Sequence, residues 1–319
     1  MKAQLLTATL ITAFTGSLSA ADPQLLNLVM PDAKVLAGVN VEQAKGTQFG
    51  QFILDQMQTH DSEMQKLVAL TGFDPRRDVR ELLVATDGSA ESKTGLAVAK
   101  GTFDVGKISA LATLQGVVTE LYGGVTILED PKDQTHGIAF LDSSTVVAGD
   151  TASVKGAIDR QKSPQSLPAA VIVKVNQWSN AQDAWGITTV PPVSLIPPGA
   201  VTKQGQGGNP MQGALQNVQQ AAGGVKFGAM VVFSGETTCD TAQNASTLAD
   251  VVKLLINIAQ MQTGADPTAA ALVKSVTVTA SGSVVKISAS LPQDVFQSML
   301  QSSKKSMGMR AAPHSSARK

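Results

Sequence analysis

The sequence predicts an α+β protein made of two ferredoxin-like repeats, each running strand, helix, strand, strand, helix, with mostly antiparallel sheets that carry helices on one face. Three observations carry this expectation. Apolar residues alternate with period two in short runs joined by tight turns. Amphipathic helices with recognisable caps stand between those runs. The same order of elements occurs near both ends of the chain, although few residues are identical between the copies.

The chain opens on Met1-Lys2-Ala3-Gln4, an apolar run from Leu5 to Phe14, and small residues up to Ala21 before Asp22-Pro23. One positive charge, a short apolar segment and small side chains ahead of the first acid are the three regions of a secretory signal, assigned to residues 1–21. Cleavage is expected near Ser19 to Ala21, with small residues either at Ser19 and Ala21 or at Ser17 and Ser19. The apolar run is too short for a comfortable transmembrane helix, which needs roughly 20 residues, and no Cys follows it to take a lipid. A periplasmic or secreted location follows, with no transmembrane helix expected in the mature chain.

In the N-terminal domain, residues 22–190, Ala33 to Val41 alternates as a half-buried strand does. A helix follows with Thr47 as its cap and a stripe through Phe49, Phe52, Ile53, Met57, Met64, Leu67 and Val68. Thr71-Gly72-Phe73-Asp74-Pro75 ends it, since Gly permits a left-handed residue and Pro cannot continue a helix. Arg80 to Thr86 and Thr94 to Phe103 read as strands, and Val105 to Leu114 as a short helix. Strands at 117–122, 125–129, 136–141 and 145–148 come next, then a helix capped by Asp150 or Thr151, then a strand from Ala170 to Val175. Residues 191–222, rich in Pro, Gly and Gln, read as a flexible linker.

The C-terminal domain, residues 223–301, repeats the order. Lys226 to Phe233 is expected as a strand, Thr241 to Met261 as a helix, Ser275 to Ala280 and Val284 to Ser290 as a hairpin, and a last helix follows Leu291-Pro292. Residues 302–319 are expected to be a disordered tail; from Gln301 onward the chain carries Lys304, Lys305, Arg310, Arg318 and Lys319 and no acid.

Composition narrows the function classes. The 319 residues hold 25 basic and 25 acidic side chains, and no basic stripe for nucleic acid runs through the folded part. Aromatic residues make up 4%, which argues against an aromatic-lined carbohydrate cleft. One cysteine excludes an intramolecular disulfide, so the core must supply stability. No cofactor is indicated. Three separated histidines and Cys239 offer no metal-ligand spacing, and the glycines at 205–208 lack the Lys-Ser or Lys-Thr of a phosphate loop. Cys239 before a long helix is a nucleophile in form, but it needs a base, and His60 and His136 are the candidates; a partly buried structural thiol is the plainer reading.

Two features suit an interaction surface. Trp178 and Trp185 flank a polar turn and lead into a Pro-rich loop, which suits either a partner contact or the capping of a core. Arg76 and Arg77 sit in the charged turn Gly72-Phe73-Asp74-Pro75-Arg76-Arg77-Asp78, where they could hold an anion or pair within the turn.

The strand from Val35 to Val41, the Thr71 to Arg76 turn before Leu82-Leu83-Val84-Ala85, and the Val284 to Ser290 strand before a Leu-Pro-initiated helix together resemble an uncharacterised family of exported bacterial proteins. The resemblance implies an envelope location and a repeated α+β fold, and brings no activity or functional residue. The reading is therefore an exported, noncatalytic binding or scaffolding protein of the envelope, whose partner is another envelope protein or a membrane surface. The alternatives are a secreted enzyme whose site is not visible in sequence, and a peripheral membrane protein held by the basic tail and the Trp loop.

Overall fold

The computed structural model describes residues 21–52, 72–89, 94–195, 213, 215–262 and 267–299. The chain is α+β, with one large antiparallel sheet. Its strands are β1 (Val35–Asn40), β2 (Val79–Thr86), β3 (Gly95–Gly101), β4 (Val118–Tyr122), β5 (Val125–Asp130), β6 (Asp133–Phe140), β7 (Thr145–Asp150), β8 (Ala184–Thr188), β9 (Val218–Lys226), β10 (Met230–Cys239), β11 (Thr277–Ser281) and β12 (Val284–Pro292). They lie side by side in the order β11-β12-β10-β9-β8-β1-β2-β3-β7-β6-β5-β4, and every neighbouring pair is antiparallel.

The seam between the halves is β1 against β8, in register from Val35 opposite Thr188 to Val39 opposite Ala184. Gly38 faces Trp185 across it. A Cβ on Gly38 would stand 2.6 Å from Trp185 Cε2, so only a hydrogen at that position lets the indole lie flat on the strand. The seam is clamped at one end by Asp183, whose side chain is 2% exposed. Its carboxylate takes Lys226 Nζ at 2.5 Å and Phe227 N–H at 2.6 Å, while its carbonyl accepts from Asn40 N at 2.8 Å. One residue thereby ties the start of β8 to the end of β1 and to the turn that begins β10.

The helices form where the sequence supplies caps and apolar stripes. Asp22 caps Pro23–Leu26, Asn40 caps Val41–Lys45, Asp104 caps Val105–Leu114 and Asp150 caps Thr151–Lys162, each carboxylate or amide oxygen accepting a backbone N–H at 2.8–3.0 Å. Thr47 accepts from Gly50 N at 3.0 Å, as a cap should. The stretch expected as a strand from Ala170 to Val175 is instead part of the helix Ala169–Ala181. Its β-branched run imitates a strand, but Val171, Val175 and Trp178 fall on one helical face and are buried, while Val173 is left 65% exposed. The strand expected from Lys226 to Phe233 is two strands, because β9 ends at Lys226 and β10 starts at Met230. The stretch expected as linker, 191–222, yields a 3-10 turn at Pro192–Leu195 and the first five residues of β9. The stripe after Phe52, from Ile53 to Val68, lies outside the described residues, as does His60.

Two hydrophobic clusters lie on opposite faces of the sheet. Leu36, Leu83, Leu96, Val98, Val147 and Ile127 sit on one face under the helices Thr151–Lys162 and Ala169–Ala181 and under the segment 21–33. Arg160, buried, holds that segment by donating from Nε to the carbonyl of Leu28 at 3.0 Å. In the other half the cluster of Val218, Cys239, Ala245, Leu248, Ala249 and Val285 lies under the helix Ala242–Gln262. Register shows the change of side. Ile187 pairs with Ala222, Ala222 with Glu236 and Glu236 with Lys286, so the first face continues into polar residues while Val285 points the other way. The expectation of helices on one face does not hold for the sheet as a whole: Thr151–Lys162 and Ala169–Ala181 cover one face, Ala242–Gln262 covers the other, and Phe49, from the segment after β1, packs with Phe296, which meets Phe233 on that second face.

Replacing Gly38 by Val should lower stability by about 1–3 kcal/mol through overpacking against the indole of Trp185. Urea unfolding followed by tryptophan fluorescence measures it, and near-UV circular dichroism should show the disturbed indole.

Candidate functional site

The strands β10, β12 and β11 present side chains with period two, so alternate residues share a face. On the face that the described helices leave open these are Ser234 and Glu236 from β10, Lys286 and Ser288 from β12, and Thr277 and Thr279 from β11, set side by side by the pairs Glu236 with Lys286, Lys286 with Thr279, and Ser288 with Thr277. The helix Ala169–Ala181 overlooks them and contributes Gln177 and Trp178 as a wall. The hollow between them is about 270 Å³. A second hollow of about 260 Å³ continues it past Thr279 to Ser281 and Val284. Together they form a shallow groove that ends at β11, the edge strand of the sheet.

The groove is polar and nearly neutral. Thr277 and Ser288 share a hydrogen bond at 2.7 Å between their hydroxyls. Lys286 Nζ stands 3.6 Å from Glu236, with the carboxylate side chain 21% exposed and the lysine 67% exposed. An ammonium this exposed moves at little cost, so the pair can open to meet a polar group of a ligand. The chemistry on offer is hydrogen bonding by hydroxyls, one amide and one ion pair, beside an indole wall. No group of three His, Cys, Asp or Glu side chains able to hold a metal occurs among the described residues.

The residues singled out from sequence are placed as follows. Trp178 and Trp185 are each 7% exposed and both belong to the main core, so neither indole is presented to a headgroup layer. Trp178 nevertheless reaches the groove with part of its ring, and Trp185 seals the seam under Gly38. Arg76 and Arg77 are in the turn before β2, far from the groove along the sheet. Arg76 Nη2 meets Asp74 at 2.7 Å, and Arg77 meets Asp78 at 2.7 Å through Nε and the carbonyl of Gly72 at 2.7 Å. The hydrogen bond from Arg76 holds the Asp74 carboxyl below its ordinary range, and that from Arg77 does the same for Asp78.

Cys239 closes β10 and is 3% exposed beneath Ala245 and Leu248. Burial, with the charge of Asp240 next to it, pushes the thiol up, against the lowering expected of a helix start, because removal from water outweighs the dipole. His136 lies on β6, seven strand spacings from β10, on the order of 30 Å along the sheet. The pairing of these two groups is therefore excluded by topology. His60 lies outside the described residues.

The hydroxyl row was not recognised in the sequence, although its signal is there. Ser234-x-Glu236-x-Thr238, Thr277-x-Thr279-x-Ser281 and Lys286-x-Ser288-x-Ser290 each repeat polar residues with period two. What a single strand does not show is that three such rows lie on the same side.

Among the described residues no helix is long and apolar enough to cross a membrane. No protein-family model matches the chain, and no curated protein matches it. Among solved structures, crystal form I of TP0453 superposes with a TM-score of 0.51, covering 89% of this chain and 98% of that one at 11% identity. At that identity the likeness shows the fold alone.

Two outcomes follow. Native Cys239 should react with a thiol reagent at pH 8 on the order of a hundredfold more slowly than the same thiol in urea, as absorbance on release of the aromatic thiolate reports. Stability should also fall in acid. The Asp74 and Asp78 carboxyls are held low by their arginines, and Asp150 is held low by bonds from Ser153 and Gly95 that outweigh its burial. Depressed carboxyls stabilise above their unfolded value of about 3.9 and lose that contribution as pH falls through their folded values. Glu81, raised by burial, works in the opposite sense alone. The urea midpoint should therefore drop between about pH 4.5 and pH 2.5.

Proposed function

We propose that the chain is an exported, noncatalytic envelope protein that binds a segment of another envelope protein along the groove of β10, β12 and β11. The single observation that carries this reading is a continuous polar row on an uncovered sheet face, walled by Gln177 and Trp178 and opening onto an edge strand. An edge strand offers unpaired backbone N–H and C=O groups, and an extended peptide laid beside β11 gains main-chain hydrogen bonds while its side chains meet Thr277, Thr279 and Lys286. Export is supported by the leader pattern of residues 1–21. The noncatalytic reading is supported by the groove's charges, a single lysine and a single glutamate set against each other.

The reading of two ferredoxin-like repeats, and with it the kinship to exported proteins of that organisation, draws support from connectivity. β10, the helix Ala242–Gln262 and β11 form a split β-α-β unit, since β12 lies between the two strands and antiparallel to both. The first half leaves β3 through the helix Val105–Leu114 and returns through β7 to the side of β3, the same path lengthened by one hairpin. The copy expected from sequence, β1, a helix, β2 and β3, is instead a simple antiparallel meander, and that separates this half from the ferredoxin pattern.

A photo-crosslinking residue placed at Thr279 or Ser234 in the exported chain should capture a partner in intact cells, and one placed at Thr119 on the opposite edge strand β4 should not. Adding Thr277→Arg should cut the Thr279 crosslink at least about tenfold, a loss of roughly 1.4 kcal/mol in binding. Equal capture at all three positions, or capture that Thr277→Arg leaves unchanged, would contradict the groove as the binding site.

A further inference from the structure

The second feature of the molecule that asks for a partner is a carboxylate, Glu81 of β2, which holds the start of the described chain. Glu81 Oε1 accepts the backbone N–H of Asp22 at 3.0 Å, in a partly buried position on β2. The Asp22 carboxylate pairs with Lys100 of β3, which also reaches Gln24. The cluster thus holds two carboxylates and one ammonium. Burial pushes the Glu81 carboxyl up and prevails, although the hydrogen bond from the Asp22 N–H lowers it, the Asp22 charge raises it and Lys100 lowers it. A fixed anion with half a counter-ion faces a backbone nitrogen that the sequence places at the end of a secretory leader.

We propose that the chain is processed at the Ala21–Asp22 bond and that Glu81 is the receptor for the α-ammonium so created. This rests on the export reading above. Hydrolysis by a leader peptidase adds one water across the amide, releases Ala21 as the carboxylate end of the leader, and leaves the α-ammonium on Asp22. No atom of Glu81, Asp22 or Lys100 need move, and the cluster becomes two anions and two cations. The other small-residue register, cleavage after Ser19, places the new charge two residues away from Glu81. Cleavage after Ala20 would place it on Ala21 N, buried at 3% exposure against the neutral hydroxyl of Ser179 at 3.0 Å. Only the bond before Asp22 puts the ammonium on a carboxylate, where a charge-assisted hydrogen bond replaces a neutral one. The docked terminus then anchors the segment 21–33, which carries Leu25 and Val29 into the core.

The whole chain is expressed with its leader in a bacterial host, fractionated, and the periplasmic form read by intact mass and N-terminal sequencing. The expected terminus is Asp22. A terminus at Ala20 or Ala21 in an exported protein overturns the proposal and leaves export standing, whereas uncleaved chain in the cytoplasm overturns both. The second measurement is thermal stability between pH 7 and 9. An α-amine whose folded pKa is raised by Glu81 stabilises below its unfolded value of about 7.7–8.0 and loses that contribution as pH rises. The processed chain should therefore lose roughly 2–4 °C in Tm over this range, and a chain made in the cytoplasm with Met-Ala ahead of Asp22 should not. Glu81→Gln in the processed chain should abolish the pH dependence. Identical pH profiles in the processed and extended chains would overturn the receptor role whatever the variant does.

Discussion

The pairing of β1 with β8 is the constraint on which the rest of the molecule depends. Without it the chain would be two smaller sheets, each with one open edge more. With it, twelve strands share one backbone ladder, and the hydrogen bonds of the seam leave neither half with an exposed inner edge. The seam exists because Gly38 has no side chain where Trp185 needs room, and because Asp183 gathers a backbone N–H and an ammonium at the point where three strands meet. Burying a carboxylate is costly unless its oxygens are occupied, and both oxygens of Asp183 are.

Joining the halves this way also decides where a ligand can approach. The helices Thr151–Lys162 and Ala169–Ala181 cover one sheet face, over β3, β6 and β7 and over β8 and β9, and the helix Ala242–Gln262 packs on the reverse side, over β10, β11 and β12. Just beyond the helix Ala169–Ala181 the first face runs on without a covering element among the described residues, and its side chains are hydroxyls and an ion pair in place of Val and Leu. The groove is therefore a step in the molecule, formed where one helical layer ends and the other has crossed to the opposite face. The same half-buried helix that packs Val171 and Val175 into the core supplies Gln177 and Trp178 as its wall, so core and groove are set by one element.

Much of this was legible residue by residue. The caps at Thr47 and Asp150 are local, since a short polar side chain reaches N–H groups two or three residues ahead whatever surrounds it. The pairing of Arg76 and Arg77 with Asp74 and Asp78 is local for the same reason. The run Val171-Ile172-Val173 was not legible, because β-branched residues favour strands only weakly and burial of the Val171, Val175, Trp178 face outweighs that preference. Nor was the fate of Cys239, whose position before a helix suggests a lowered thiol pKa while its burial beneath Leu248 raises it.

What the sequence determined by itself is therefore the alternation within each strand, the caps and the turns, all of which are fixed by contacts over a few residues. The tertiary structure alone decided that the two halves share one sheet, that their helices occupy opposite faces, and that three polar rows line up into a groove. The physical reason lies in the strand's twofold period. It assigns every second residue to one side, but which side meets water depends on the register with the neighbouring strand, and that neighbour is as far away in sequence as β8 is from β1.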